Sequence, residues 1–127
     1  MTGTREIRQP GDYQYVLAPF AEPIARVQPG ETVIIHTIDA FGDKLTSESQ
    51  KPSAILGPYL NPQTGPIYIE GAEPGDTLAV KIEKIEAARD WAVSCTIPFF
   101  GGLTSTRWTA MLQPALEERV WKYQRTA

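Results

Sequence analysis

The sequence predicts a mainly β fold, an antiparallel β-sandwich or distorted barrel with little helix, organised as a single domain over residues 1–127. Three observations predict it. Proline supplies 11 of the 127 residues, about 9% where about 5% is usual, and its even spread favours short strands between stiff turns. The stretches VQPGETVIIHTID (27–39) and AEPGDTLAVKIEK (72–84) both run Pro-Gly-acid-Thr straight into an apolar alternation. Further short apolar runs bounded by turn residues recur toward the C-terminus.

In chain order, YQYVL (13–17) is the first strand candidate. In the first echo, proline presets φ for the second turn position and glycine accepts the positive φ of a type II turn, so the chain reverses and then extends. Val33, Ile35 and Thr37 alternate there with Ile34, His36 and Ile38, leaving both faces largely apolar and predicting a central strand. Pro66 to Glu70 is a short extended run between two stiff turns. In the second echo Leu78, Val80 and Ile82 share one face, with Lys81 and Glu83 on the other, the pattern of a half-buried strand. Trp91 to Ile97 alternates as well and stops at Pro98 before the turn-prone FFGGLTSTRW (99–108). TAMLQPALEERV (109–120) holds one helical turn broken at Pro114, and ERVWKY (118–123) is a last strand.

A chain of this length hides about two-thirds of its unfolded surface when compact, so a core is expected without disulfide staples. The formal charge of −3 would repel a phosphate backbone, and no Lys/Arg run interleaves with aromatics, which excludes nucleic acid as the expected partner. Cys95 is the one cysteine, so neither an internal disulfide nor a cysteine zinc cluster can form within the chain. The opening MTGTREIRQPGDYQYV has no secretion-type apolar core, and no stretch of about 18 apolar residues suggests a membrane span. A cytoplasmic location is expected.

The chemistry-bearing groups lie at strand ends and turns. His36, the sole imidazole, stands three residues before Asp39, and the two converge only where the strand ends or bulges. Two readings of His36 stand side by side: a metal ligand, or a histidine hydrogen-bonded within the sheet. Glu31 and Asp76 read as polar turn positions. Glu70 ends an apolar run beside Gly71, a residue that admits close approach of a backbone or ligand. Half-buried, its pKa would rise unless a cation or metal offset the desolvation, the profile of a ligand or general base; a structural, hydrogen-bonded acid is the other reading. Cys95, on the face of Trp91 and Val93, reads as a core residue. GGLTSTR (101–107) offers backbone N–H groups for an anion or oxyanion, or makes a plain turn.

Three stretches, HTIDAFGDKL (36–45), NPQTGPIYIEGAEPGDTLAVKIEKIE (61–86) and IPFFGGLTSTRWTAMLQPALEERVWKY (97–123), resemble the amino-terminal portion of the acetamidase/formamidase family over residues 20–123. The resemblance implies hydrolysis of short linear amides to a carboxylate and ammonia on a β-rich fold, with a divalent metal such as zinc in some members. It places Asp39 and Glu70 as catalytic residues, Asp39, His36 and Glu70 as metal ligands, and Asn61, Thr64 and Gly65 in the adjoining substrate-binding turn. The backbone near Gly101 and Gly102 would donate to the oxyanion of the substrate.

Family members are typically more than twice this length, so three readings stand open: a complementary C-terminal chain or subunit that completes this one within an oligomer, a fragment of a longer chain, or a shortened relative that lost catalysis. The expected function is part of an amidohydrolase using activated water. The competing expectation is a non-catalytic β module for assembly or small-ligand binding.

Overall fold

A computed structural model of the chain describes residues 4–97, 100 and 117–126. Those residues form six strands and one short helix: β1 (Arg5–Ile7), β2 (Ala25–Val27), β3 (Val33–Ile35), α1 (Pro52–Ile55), β4 (Ile67–Ile69), β5 (Trp91–Thr96) and β6 (Arg119–Gln124). The mainly β expectation holds. The antiparallel expectation holds for β5 and β6 alone, since β1 pairs with β3, and β2 with β4, in parallel. Parallel neighbours need a crossover rather than a hairpin. Here the β1-to-β3 connection carries β2, and the β2-to-β4 connection carries β3 and α1.

The chain gathers into two compact units, one of Met1–Ala40 with Asn61–Ile85, the other of Phe41–Leu60 with Glu86–Ala127. The first holds both parallel pairs. Its β1–β3 register sets Glu6 opposite Ile34 and Ile7 opposite Ile35, and the ladder continues with the His36 N–H donating to the Ile7 carbonyl at 3.0 Å. In β2–β4, Arg26 faces Tyr68, and the ladder extends at both ends, from Ile24 N–H to the Pro66 carbonyl and from Glu70 N–H to the Val27 carbonyl. Ile7, 4% exposed, is the buried hydrophobic residue of this unit among the described residues.

Both Pro-Gly turns form as the sequence predicts. Gly30 and Gly75 take φ of 80° and 101°, and the Glu31 and Asp76 N–H groups close back onto the Gln28 and Glu73 carbonyls at 3.0 and 3.1 Å. Each acid then closes a second bond with its side chain: Glu31 accepts from the Gln28 N–H and Asp76 from the Glu73 N–H, both at 2.9 Å. The polar-turn reading of these two acids is therefore what the structure shows.

Beyond each turn the chain takes a different course. The first delivers β3 to its partner β1. The second delivers residues 77–85, which carry no ladder among the described residues and are exposed throughout, so the predicted half-buried strand has its apolar face uncovered. The central-strand expectation for Val33–Ile35 also changes: β3 pairs on one side, and Ile34 and Ile35 are each 46% exposed. YQYVL contributes one antiparallel bridge, Gln14 to Gln63, rather than a strand.

In the second unit β5 and β6 form a regular antiparallel ribbon with Trp91 opposite Gln124 and Cys95 opposite Val120. Trp91, Val93 and Cys95 are half-buried while Ala92 and Ser94 are exposed, the alternation read from the sequence. Arg89 and Lys122 flank the Trp91 ring at 3.7 and 4.4 Å. Helix α1 starts at Pro52, preorganised for a first helical turn, and its N-cap Lys51 makes no capping bond. Glu118, distant in sequence, does that work by accepting from the Ser53 N–H and hydroxyl, each at 2.8 Å. That pairing holds the Glu118 carboxyl below its ordinary range. Among the described residues Leu45, Pro52 and Val120 are the largest fully buried side chains here. The helical turn expected within 109–116, and the glycine pair Gly101 and Gly102, lie outside the described residues.

Candidate functional site

The first unit places two of the sequence-nominated residues in equivalent positions. His36 is the residue after β3 and Glu70 the residue after β4. In a parallel pair the same face recurs every second residue, so the middle residue of one strand can reach diagonally past its direct neighbour. Glu6 does this across β1–β3, its Oε2 lying 3.0 Å from His36 Nε2. Arg26 does it across β2–β4, its Nε and Nη2 donating to the two Glu70 carboxylate oxygens at 2.6 and 3.1 Å.

The Arg26 guanidinium also lies 3.8 Å from the Tyr68 ring centroid, so the stack on Tyr68 aims the fork that grips Glu70. The hydrogen bond from Arg26 lowers the Glu70 pKa, against a smaller upward push from desolvation. The carboxylate is thus held ionised: the cation that the sequence reading required to offset burial is Arg26. Glu6 is likewise lowered, first by its hydrogen bond from Arg8 and next by His36.

Glu70 occupies a corner. The Ala72 N–H bonds back to the Ile69 carbonyl at 3.2 Å, making Glu70 the second residue of a turn whose third, Gly71, has φ of 77°. A Cβ on Gly71 would meet nothing within 4 Å, so its backbone conformation calls for glycine, and the close approach suggested by the sequence is not what the structure shows.

The turn 61–66 is tied to the same unit by its neighbours. Thr64 donates its hydroxyl to the His36 carbonyl at 2.7 Å, and the Gly65 N–H donates to Gln9 Oε1 at 3.0 Å. Asn61, at φ of 59°, donates its N–H to the Ala40 carbonyl at 2.8 Å. Thr64 is thus bonded to the His36 backbone and Gly65 to the Gln9 side chain, with their polar groups engaged inside the chain. Asp39 is half-buried and takes part in an interaction of its own. Sequence reading missed Glu6, Gln9 and Arg26, whose partners lie 30, 56 and 44 residues away.

Among the described residues no group of three His, Cys, Asp or Glu side chains gathers to hold a metal ion. Three protein donors are the usual minimum for a catalytic zinc, so Asp39, His36 and Glu70 as arranged do not by themselves fit a divalent ion. Cys95 has its thiol pushed up by burial, consistent with a packing role. An open groove of about 350 Å³ borders the 61–66 turn, lined by Val16, Leu17, Pro19, Ala21, Gln63 and Pro66 among others; it is mostly apolar and has far more room than an amide as small as acetamide occupies. None of the described residues forms a helix long and apolar enough to cross a membrane.

Residues 14–126 match the Acetamidase/Formamidase family. The chain belongs to that family. Among solved structures it is similar to an acetamidase from Yersinia enterocolitica, with 40% identity and a TM-score of 0.84 over 95% of this chain and 38% of that one. It is also similar to an acetamidase from Bacillus halodurans, with 26% identity and a TM-score of 0.69 over 94% of this chain and 37% of that one. The chain thus spans well under half the length of either acetamidase. No curated protein matches it.

Proposed function

We propose that this chain is one part of a hydrolase for short linear amides, acetamide and formamide among them, and that it works when joined by polypeptide supplying the rest of the acetamidase fold. One observation carries the reading: 40% identity with the Yersinia acetamidase over 95% of this chain, against 38% of that protein's length. In the reaction a water attacks the amide carbon, the new C–O bond giving a tetrahedral oxyanion whose collapse breaks the C–N bond, and one water proton passes through a carboxylate to the departing ammonia.

Of this chain's groups, Asp39 is assigned the proton-accepting role. Glu70, held ionised by Arg26, supplies fixed negative charge at the strand end, where its lowered pKa disfavours it as a proton acceptor. The 61–66 turn, with Asn61, Thr64 and Gly65, positions substrate, and Gly101 and Gly102 donate N–H groups to the tetrahedral oxyanion. A divalent ion such as zinc would need donors from the remaining polypeptide. An oligomeric assembly belongs to the same proposal.

Internal pairing of His36 with Glu6 and of Glu70 with Arg26 favours a second reading, a family member that kept the scaffold as a binding or assembly module. Ammonia release separates the two. The assembly of this chain with the remaining portion of the Yersinia acetamidase should hydrolyse acetamide or formamide, and Asp39→Asn should slow it by on the order of 10² or more. A verified assembly that releases no ammonia supports the module.

A further inference from the structure

We propose that the apolar groove beside the 61–66 turn, together with Leu17 and Phe20 of the stretch that lines it, is the surface on which the remaining polypeptide of the acetamidase fold seats an apolar segment. The inference rests on the reading that such a polypeptide completes this chain, and it names where the two join.

The groove offers about 350 Å³ of room and is bordered by Val16, Leu17, Pro19 and Ala21 from one stretch and by Gln63 and Pro66 from another. Both stretches are pinned. Gln14 and Gln63 exchange backbone hydrogen bonds of 3.2 and 2.8 Å, the Ile24 N–H donates to the Pro66 carbonyl at 2.9 Å, and the Ala21 N–H closes a turn onto the Ala18 carbonyl at 3.2 Å. That turn carries Pro19 and Phe20 at its two central positions, so little conformational freedom is left to lose when a partner arrives.

The side chains are those of an interface centre. Val16, Leu17 and Phe20 are 62%, 91% and 85% exposed, and residues 13–21 hold no charged group, Asp12 and Glu22 being the nearest in sequence. Large apolar side chains held in water on one rigid stretch mark an interaction surface, and the middle of such a surface is poor in charge and rich in aromatic residues. Shape decides the kind of occupant. A small amide in the groove would leave Phe20 and most of Leu17 in water, whereas sites for small molecules wrap most of their ligand; a polypeptide face covers the groove and both side chains at once. This chain covers 38% of the Yersinia acetamidase chain at a TM-score of 0.84, so the larger part of that fold is polypeptide this chain does not contain, and that polypeptide is the occupant.

The experiment co-expresses this chain with the remaining portion of the Yersinia acetamidase, as separate polypeptides, and measures affinity by titration and amide hydrogen exchange across residues 14–21. The chain carrying both Leu17→Ser and Phe20→Ser is measured beside it. Both side chains stand largely in water, so the double variant should melt with the unaltered chain when alone. In the complex the Val16, Leu17 and Phe20 amides should exchange about tenfold or more slowly, and the double variant should bind about 100-fold or more weakly, as loss of two buried large apolar side chains implies.

Equal affinity for both versions, or a complex in which the 14–21 amides exchange as fast as before, overturns the docking while leaving the proposed function standing. So does pairing of two copies of this chain through the stretch that the remaining polypeptide fails to displace, and so does a groove that still admits hexanamide within the complex, read from the Val16 and Ala21 resonances. Slowed exchange and the expected loss of affinity without ammonia release uphold the docking and remove the amidase reading instead. Where no complex forms, both fall.

Discussion

Ile7→Ala probes the scaffold that carries the candidate site. Ile7 is 4% exposed, sits opposite Ile35 in β1–β3, and lends its carbonyl to the His36 N–H. Its neighbour Glu6 reaches His36 from the same strand. The substitution removes three carbons; at about 0.8 kcal/mol each, plus the cavity left behind, the expected loss is about 2–5 kcal/mol. The strands are three residues long and two to a sheet, so few other contacts can make up the deficit. With a urea slope of about 1.5–2 kcal/mol per molar, the unfolding midpoint should fall by roughly 1–3 M. Ile7→Val, which leaves a far smaller cavity, should cost about 0.5–1.5 kcal/mol. If Ile7→Ala shifts stability by under about 0.5 kcal/mol, Ile7 is not the pin of this sheet and the positioning of Glu6 and His36 must come from elsewhere.

The pairing of Glu70 with Arg26 sets a pH dependence. A carboxylate with a depressed folded-state pKa contributes stability that is present above the ordinary carboxylate range and lost as pH falls through the lowered value. Arg26→Gln should raise the Glu70 titration midpoint seen by NMR and move acid unfolding of this unit to higher pH; an unmoved midpoint would show that the pair does not hold the charge. Gly75→Ala, at φ of 101°, should destabilise by about 1 kcal/mol in a thermal melt, because an L side chain is strained there. Stabilisation, the usual result where glycine has an ordinary φ, would contradict the turn geometry.

Local chemistry made part of this fold readable in advance. The two Pro-Gly turns depend on four adjacent residues each, so their glycine φ values and closing bonds derive from QPGE and EPGD alone. The ribbon of β5 and β6 is long enough, at six residues per strand, for alternation to declare its faces. By contrast β1 and β2 are three residues each, too short for a period to register. Parallel pairing is invisible to local pattern because it is decided across crossovers. The apolar alternation of Leu78, Val80 and Ile82 reports which face seeks burial, and says nothing of what buries it.

For the site the division is similar. Glu70 and His36 stood out as an acid after an apolar run and a lone imidazole, and both fall at strand ends. Their partners Arg26 and Glu6 lie in no motif and are brought there by parallel register alone. A charged residue centred in a short apolar run, as in Ala25–Val27, is the one signal that could have raised Arg26. It is too common on sheet surfaces to have pointed to Glu70.

The central claim is that this chain is a part whose chemistry requires completion. Titrating the remaining portion of the Yersinia acetamidase into a fixed amount of this chain, with ammonia release from acetamide or formamide followed at each addition, tests it most directly. The rate should be nil at zero addition, rise with each increment and saturate at equimolar polypeptide. Turnover by the chain before anything is added, or a flat line through equivalence, would contradict it.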